Sequence, residues 1–488
     1  MSLNLINDSW IPMRDRDGNL RLIAPWQMAD SDLSWPAWPR PDLDIACIEF
    51  LTGLLRLADP PAHSDDWEDR QAPNPERLRI RLAAFAPAFE LLGDGPRFMQ
   101  ELGGLTGDIR PAELLFLDSG GEGGAFTVHA GRYSDLSLPA AAMALYAMQT
   151  QAPSGGRGML TSLRGGGGMS VLLDPGKGLW SLLWANVPDG RPGQISDLPW
   201  MRRTIPSDSG AVHVPPEPQP VEALFGMPRR YWLLAEGERV TGVIQRPSGT
   251  RYQGWQHPFA GHYLTKAGDE PLPVRPRPGH GGYRHWQGLA LRDPEQLRLR
   301  PYNLAQWFDR ARGEPADLIL AGWAMSNAKA VDYLFSKVPL IDLDPQAEQL
   351  LIAMIEAANL FSQSLYGALT GAGIEGETRD LLRETLYVQT QSGFEQALSQ
   401  LSAAPLAEEI RETLARSWLA LLRKTAMALF EARVLPGLGD LPMDDQKKIA
   451  DAHRNLGAAF AGYTPQGGKA FDALGLQRPV VKKKKEAA

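Results

Sequence analysis

Cysteine is almost absent from this sequence, since Cys47 is the only one in 488 residues. A single thiol cannot form an intrachain disulfide, and it excludes a zinc site of the cysteine-rich type. Because Cys47 lies among apolar neighbours in DIACIEFL, we expect a buried core thiol and no nucleophile at this position.

Long apolar segments are missing as well. The sequence has no run of about twenty apolar residues, the length needed to span a bilayer. The N-terminal stretch MSLNLINDSWIPMRDRDG also lacks the charged and then apolar layout of a signal peptide. We therefore expect a cytoplasmic protein that makes no membrane contact.

A surplus of basic residues is the third absence. The formal net charge is −7, so the composition argues against a general nucleic-acid binder and leaves room only for a local basic groove. An apolar fraction of 43% and a charged fraction of 22% are typical of a globular protein. The length predicts two or three domains.

The first 340 residues predict a mixed domain of strands and helices. NLINDSWIPM and NLRLIAPW predict a hairpin around the turn RDRDGN, and RRYWLLAEG and ERVTGVIQR predict further strands. Helical patterns mark DLDIACIEFLTGLLRLA and NPERLRIRLAAFAPAFELL, the second with Asn74 as its N-cap and Pro75 at its first position. We expect a large, irregular α+β domain here.

After residue 340 the pattern becomes helical. Asp344 and Pro345 begin the first of four amphipathic segments that are joined by short connections. Apolar stripes on the first and third segments are formed by Leu351, Ile355, Ala358 and Leu365, and by Ile410, Leu414, Trp418, Leu421 and Leu429. The predicted fold class is α+β, with a mixed domain at 1–340, a four-helix bundle at 341–470 and a basic, disordered tail at 471–488.

The most unusual segment is QAPSGGRGMLTSLRGGGG, residues 151–168, in which seven of eighteen residues are glycine. A P-loop needs GxxxxGK followed by Ser or Thr, and no such sequence occurs in the chain. GxGxxG fails as well, because Gly156-Arg157-Gly158 is followed by Met, Leu and Thr. The segment is therefore not predicted to bind ATP or a dinucleotide, and its second glycine run at 165–168 is expected to form a structural turn beneath the first.

Histidine supplies the one pattern that suggests a metal site. His257 and His262 in HPFAGH, and His280 and His285 in HGGYRH, form two pairs with the same spacing. They lack a paired carboxylate motif or an HExxH helix, and the chain has no GxSxG sequence. We expect no catalytic residue, no metal and no cofactor, and keep a metal-dependent hydrolase built on these two pairs as an alternative.

Four segments occur together in an order that marks a known family. They are LNLINDSWIPM at the start, GGAFTV at 123–128, QAPSGGRG followed by SLRGG, and LILAGWAMSNAKA at 318–330. With the C-terminal helices, this order resembles the CasA family, the large subunit of the type I-E CRISPR surveillance complex Cascade. The resemblance covers nearly the whole length.

The resemblance implies a non-catalytic DNA reader. Such proteins recognise the PAM of double-stranded target DNA chiefly from the minor groove, wedge the strands apart to start the R-loop and help recruit the helicase-nuclease. The implied partners are the crRNA and the other Cascade subunits, namely the repeated backbone subunit, the small subunit and the subunit that binds the 5′ handle. A purely structural Cascade subunit is a further alternative.

Two DNA-contacting elements are placed by the resemblance. The PAM-reading glycine loop corresponds to Ser154, Gly155, Gly156 and Arg157. The strand-splitting wedge corresponds to Asn327 and Ala328 at a hairpin tip, with Met325 or Lys329 sharing its work. From the residues alone, this second stretch would be interpreted as a turn between helices.

Two further contacts are implied in the same way. A basic finger for the minor groove corresponds to Arg246, with Arg251 close by. Phe126 corresponds to an aromatic residue in a loop that reaches the crRNA 5′ handle and the backbone subunits.

Overall fold

The computed structural model describes residues 2–119, 129, 131–153, 155–156, 158–277, 282–293, 297–311, 313–326, 329–340, 343–403 and 406–478. The chain divides into two compact units. The first comprises Met1–Pro278 and Glu295–Leu340, and the second comprises Gly279–Pro294 and Ile341–Ala488. Residues Gly279–Pro294 thus group with the C-terminal helices although the chain returns to the first unit after them.

The first unit mixes helices with small sheets. Its α-helices are α1 (Pro41–Ala58), α2 (Ser64–Asp69), α3 (Pro75–Ala83), α4 (Leu138–Gln151), α5 (Leu179–Asn186) and α6 (Tyr302–Arg310). Its strands are β1 (Ile11–Asp15), β2 (Leu20–Ile23), β3 (Leu33–Pro36), β4 (Ile109–Pro111), β5 (Leu136–Ser137), β6 (Ser170–Asp174), β7 (Arg230–Glu236), β8 (Arg239–Arg246), β9 (His262–Tyr263), β10 (Leu272–Pro273), β11 (Arg298–Leu299), β12 (Ala316–Ser326) and β13 (Lys329–Leu340).

The strands form antiparallel sheets, and several of them pair strands that lie far apart in the sequence. Their orders are β2-β1-β3, β10-β9-β11, β13-β12-β6 and β4-β8-β5, with β7 paired to β8. The predicted N-terminal hairpin is confirmed, because β1 pairs with β2 and the turn between them is closed by Asp15, whose carboxylate accepts the backbone N–H groups of Asp17 and Asn19. The two strands predicted around residue 238 are confirmed as β7 and β8.

The core of the first unit is built around α1. Nearly every residue of this helix is buried, as expected for a helix that is apolar on all sides. Phe50 of α1 makes edge contacts with Phe89, Phe98 and Tyr146, and the cluster continues to Trp200. Cys47 is fully buried and burial raises the pKa of its thiol, which confirms the predicted core position.

The second unit is helical. Its α-helices are α7 (Pro345–Gly371), α8 (Gly376–Ala403), α9 (Glu408–Val434), α10 (Met443–Phe460) and α11 (Pro465–Leu474). Helix α7 contacts the other four, and α11 was not among the four predicted helices. Asp344 caps α7 as its spacing predicts, because its side chain accepts the backbone N–H groups of Gln346 and Ala347.

The apolar stripes were predicted with mixed success. All four stripe residues of α7 are fully buried. In α9 the stripe is displaced, because Ile410 is 43% exposed and the buried face runs through Leu414, Trp418, Leu422 and Phe430. None of the described helices is long and apolar enough to span a bilayer.

Candidate nucleic-acid interface

The predicted contact residues are unevenly covered by the structure. Gly155, Gly156, Arg246 and Arg251 belong to the described residues. The other positions lie outside them, namely Ser154, Arg157, Asn327, Ala328, Phe126 and, from the histidine pairs, His280.

The first glycine segment forms an exposed turn at the end of α4. Gly155 donates its N–H to the Met159 carbonyl at 3.4 Å, and Met159 returns a bond to the Gly156 carbonyl at 3.1 Å. Gly156 has φ +91°, and a Cβ added there would meet nothing within 4 Å. Gly155 is held differently, since its added Cβ would lie 2.9 Å from the Met159 Cβ. Gly155 and Gly156 thus expose backbone that carries no side chain.

Arg229 clamps the two arms of this turn. Its guanidinium donates to the Pro153 carbonyl on one arm and, at 3.1 Å, to the Leu160 carbonyl on the other. The Arg229 backbone is fixed in turn by the Gln149 amide of α4, which accepts its N–H at 3.2 Å and donates to its carbonyl at 2.8 Å. The role of Arg229 could not be predicted from the sequence, because no local pattern around position 229 indicates a contact with position 153.

The loop that follows β8 contacts the same segment. Ser248 donates its N–H to the Gly158 carbonyl at 2.8 Å. A Cβ added to Gly158, whose φ is +79°, would lie 2.7 Å from the Pro247 Cβ. The contact brings the end of β8, where Arg246 stands, beside the glycine segment.

Arg246 and Arg251 are both exposed. The Arg246 side chain packs beside Gly107, where an added Cβ would lie 3.3 Å from the Arg246 Cδ. The Arg251 backbone carbonyl accepts the His213 N–H at 2.7 Å. Within the part of the chain that the structure describes, neither guanidinium is engaged in an ion pair. Their charges are thus available to an anionic partner.

The wedge candidate lies between two long strands. β12 and β13 pair from Ala316 and Leu340 to Ser326 and Lys329, with a register shift between Ala324 and Met325. The interpretation of this stretch as a turn between helices is wrong, since strands flank it on both sides. The physical reason is that LILAGWA is buried throughout, so its apolar residues do not alternate and its period gives no strand signal.

The second glycine run packs on the backbone of β12. The Gly167 carbonyl accepts the Trp323 N–H at 2.9 Å, and a Cβ added to Gly167 would overlap the Trp323 carbonyl oxygen. A Cβ added to Gly322 would lie 2.5 Å from the Gly168 carbonyl oxygen. The run begins in a turn, because Gly165 donates its N–H to the Ser162 carbonyl at 3.0 Å; that this turn lies beneath the first segment stays a prediction.

Arg164, which precedes this run, is fully buried. Its guanidinium makes two bonds of 2.7 Å to the Glu49 carboxylate of α1 and one of 2.8 Å to the Ser170 hydroxyl. Ser170 donates in turn to Glu49 at 2.5 Å. Both charges have no exposed surface, so Arg164 anchors the glycine run to the core and cannot reach a ligand.

The family described as CRISPR-associated protein Cse1 matches residues 4–429. The chain belongs to the Cse1 family. The resemblance to CasA is thereby confirmed, since one solved structure with this fold is described as Thermus thermophilus CasA (Cse1).

Solved Cse1 structures share the fold over nearly their whole length. The Thermus thermophilus protein is 19% identical with a TM-score of 0.67, and the match covers 93% of this chain and 98% of that one. Thermobifida fusca Cse1 is 18% identical with a TM-score of 0.69 and coverage of 97% and 98%. A structure described as a CRISPR RNA-guided surveillance complex matches at 16% identity, a TM-score of 0.70 and coverage of 93% and 99%. The predicted α+β class with a helical C-terminal region is confirmed.

The histidines of this Cse1-family chain do not assemble into a metal centre among the described residues, which contain no group of three or more potential metal ligands. His257 and His262 are buried, and burial lowers the pKa of both imidazoles, that of His262 to about 4. Both side chains are therefore neutral near pH 7 and belong to the core of the first unit. No observation in this region favours the hydrolase alternative.

Proposed function

We propose that this chain is the DNA-reading large subunit of an RNA-guided CRISPR surveillance complex. Segment 154–157 enters the minor groove of the PAM, and Asn327 with Ala328 separates the strands beside it. The subunit carries no catalytic site, binds the crRNA handle through Phe126, and works with the backbone, small and 5′-handle-binding subunits and the helicase-nuclease. Membership of the Cse1 family supports the assignment to such a complex.

The observation that carries the proposal is the shape of the glycine turn. The minor groove of B-DNA is about 6 Å wide, so it admits bare backbone more readily than bulky side chains. Gly155 and Gly156 are exposed, and nothing else in the described chain lies within 4 Å of the space that a Gly156 side chain would fill.

Charge around the turn supports the same partner. Arg246 ends β8 and Arg251 follows the loop that contacts Gly158, and both are exposed. A narrow minor groove concentrates negative potential, which attracts arginine. Two guanidinium groups that form no ion pair with the described residues therefore provide local positive charge, which the overall net charge of −7 does not.

The proposal is tested with a matched pair of glycine variants. Gly156→Asp adds a carboxylate at φ +91° in open space, and Gly176→Asp adds the same group at φ +71°, also in open space but on the turn after β6. Aspartate tolerates this backbone region better than most residues. The measurement is the Kd of the assembled, crRNA-loaded complex for target duplexes with a matched or a scrambled PAM.

We expect Gly156→Asp to weaken binding of the matched duplex at least tenfold and to leave the scrambled one unchanged. Gly176→Asp is expected to match the unsubstituted complex on both. Asn327→Ala is expected to bind the matched duplex but open it slowly. Equal binding of both duplexes by the unsubstituted complex would instead favour the purely structural subunit.

A further inference from the structure

The glycine turn and the β12–β13 hairpin are joined through one residue. Gly167 donates its N–H to the Gln151 carbonyl at 3.0 Å, and its own carbonyl accepts the Trp323 N–H at 2.9 Å. Gln151 ends α4 shortly before the glycine turn, and Trp323 lies on β12 three positions before the strand ends at Ser326. The two backbone groups of a single residue thus bond to both elements.

The contact between Gly167 and β12 leaves no space for a side chain. The φ of Gly167 is +79°, a conformation that side chains disfavour, and an added Cβ would overlap the Trp323 carbonyl oxygen and lie 2.8 Å from the Met325 Cγ. Gly322, which lies opposite on β12, is packed as tightly. A Cβ added to Gly322 would lie 3.1 Å from the Gly167 carbonyl oxygen and 2.5 Å from the Gly168 carbonyl oxygen. Any larger residue must move the strand or the run.

The second glycine run is also held by the residues that precede it. The Ser162 N–H bonds to the Ala152 carbonyl at 3.0 Å, and the Ser162 hydroxyl bonds to the Gly165 carbonyl at 2.7 Å. Arg164 holds the same stretch to the core through Glu49. The glycine turn has separate supports in Arg229 and Ser248, so a displaced junction moves the hairpin more than the turn.

We infer that Gly167 is a positioning residue that sets the spacing between the groove-reading turn and the strand-separating hairpin tip. This inference rests on the proposed function. It predicts that PAM binding and strand opening are separable at this position. Gly167 contacts no DNA itself and acts through Trp323 and Met325.

The test uses the assembled complex and a target duplex with a fluorescent base analogue at the first pair beside the PAM. PAM-dependent Kd and the rate of fluorescence increase are measured for the unsubstituted complex, for Gly167→Ala and for the control Gly176→Ala. The control adds the same methyl group at φ +71° with nothing within 4 Å. We expect Gly167→Ala to change the Kd less than threefold and to slow opening at least tenfold, while the control changes neither.

Ser162→Ala keeps the inference testable if Gly167→Ala fails to assemble. It removes only the hydroxyl bond to the Gly165 carbonyl, and we expect opening to slow about threefold at an unchanged Kd. Opening at the unsubstituted rate in the assembled variant, or equal losses in Kd and rate, overturns the positioning role. A complex that ignores the PAM before any substitution overturns the proposed function instead.

Discussion

At the scale of single residues, the feature that costs the most free energy to bury is an ion pair with no access to water. Arg164 and Glu49 are both fully buried and are joined by two bonds of 2.7 Å. Burying two charges costs free energy that the pair recovers only with good geometry and further hydrogen bonds. Ser170 and the Thr150 carbonyl supply such bonds to Arg164. The pair is therefore sensitive to the loss of either partner.

We predict that Glu49→Gln lowers the free energy of unfolding by about 3–5 kcal/mol, because the Arg164 charge is then buried without compensation. The measurement is urea unfolding followed by tryptophan fluorescence. The matched control is Arg416→Gln, which removes an exposed ion pair with Glu412 and is expected to cost less than about 1 kcal/mol. Similar costs for the two variants would contradict the prediction.

The buried histidines give a pH dependence whose sign can be worked out. Burial lowers the pKa of His262 from 6.5 to about 4 in the folded protein. Between these values the unfolded chain binds the proton and the folded protein does not, so stability falls as the pH drops from 6.5 to about 4. Asp44 acts in the opposite direction, because burial raises the pKa of its carboxyl from 3.8 to about 7.

We predict that His262→Gln reduces the loss of unfolding free energy at acidic pH. Between pH 6.5 and pH 4 the variant is expected to lose about 2–3 kcal/mol less than the wild type. Asp44→Asn is expected to make the same loss steeper, because the wild-type carboxyl gains stability as it is protonated. Unfolding free energies at pH 4.5, 5.5, 6.5 and 7.5 for the three proteins provide the measurement. Parallel curves for His262→Gln and wild type would refute the assignment.

At the scale of elements, the glycine turn depends on an arginine that lies far away in sequence. A planar guanidinium presents several donors in a fixed fork, whereas the ammonium group of lysine is a single charged point. Arg229 uses that fork to hold the Pro153 and Leu160 carbonyls at once. Lysine cannot bridge both arms, so the turn would open while the charge is retained.

We predict that Arg229→Lys weakens PAM-dependent binding about tenfold, or about 1.4 kcal/mol. Arg70→Lys is the control, because Arg70 also bridges two carbonyls, those of Pro60 at 3.1 Å and Asp59 at 3.0 Å, away from the glycine turn. Both variants are expected to lose stability, and only Arg229→Lys to lose affinity for the matched PAM. If both variants bind that duplex alike, the clamp has no part in recognition.

Elements whose signals are local were predictable. Asn74 and Asp344 cap their helices because a short polar side chain next to proline favours helix initiation. Helix α11 was missed although Thr464 and Pro465 carry the same signal, because Gly467 and Gly468 lower helix propensity. The structure explains the glycines, since a Cβ on Gly467 would overlap the Ala459 carbonyl oxygen.

At the scale of the whole molecule, the candidate site could be predicted only in part. The glycine turn stands out by composition, and the family order of segments places the hairpin. The contacts of Arg164 with Glu49 and of Arg229 with Pro153 join positions 115 and 76 residues apart. Such pairings are set by the packing of α1, α4 and β12, and no local pattern of residues encodes them.

Charge is also a property of the whole chain, and under the proposed function it restricts how the subunit would hold DNA. With a net charge of −7, the affinity for DNA that the proposed function requires cannot come from a general attraction to phosphate. It must come from a few local contacts. Each phosphate contact adds about 0.9 to the slope of log K against log salt concentration. If Arg246 and Arg251 each meet one phosphate, the double variant Arg246→Ala with Arg251→Ala lowers that slope by about 2.

The measurement is the Kd of the assembled complex for matched duplex at a series of salt concentrations. The control replaces Arg416 and Arg454, which are exposed on α9 and α10 and paired with Glu412 and Asp451, and it is expected to leave the slope unchanged. A parallel loss of affinity at every salt concentration would mean that the two arginines contact base edges or protein and no phosphate. An unchanged Kd would remove the basic finger from the interface while leaving the glycine turn and hairpin in place, because their contacts with each other involve neither arginine.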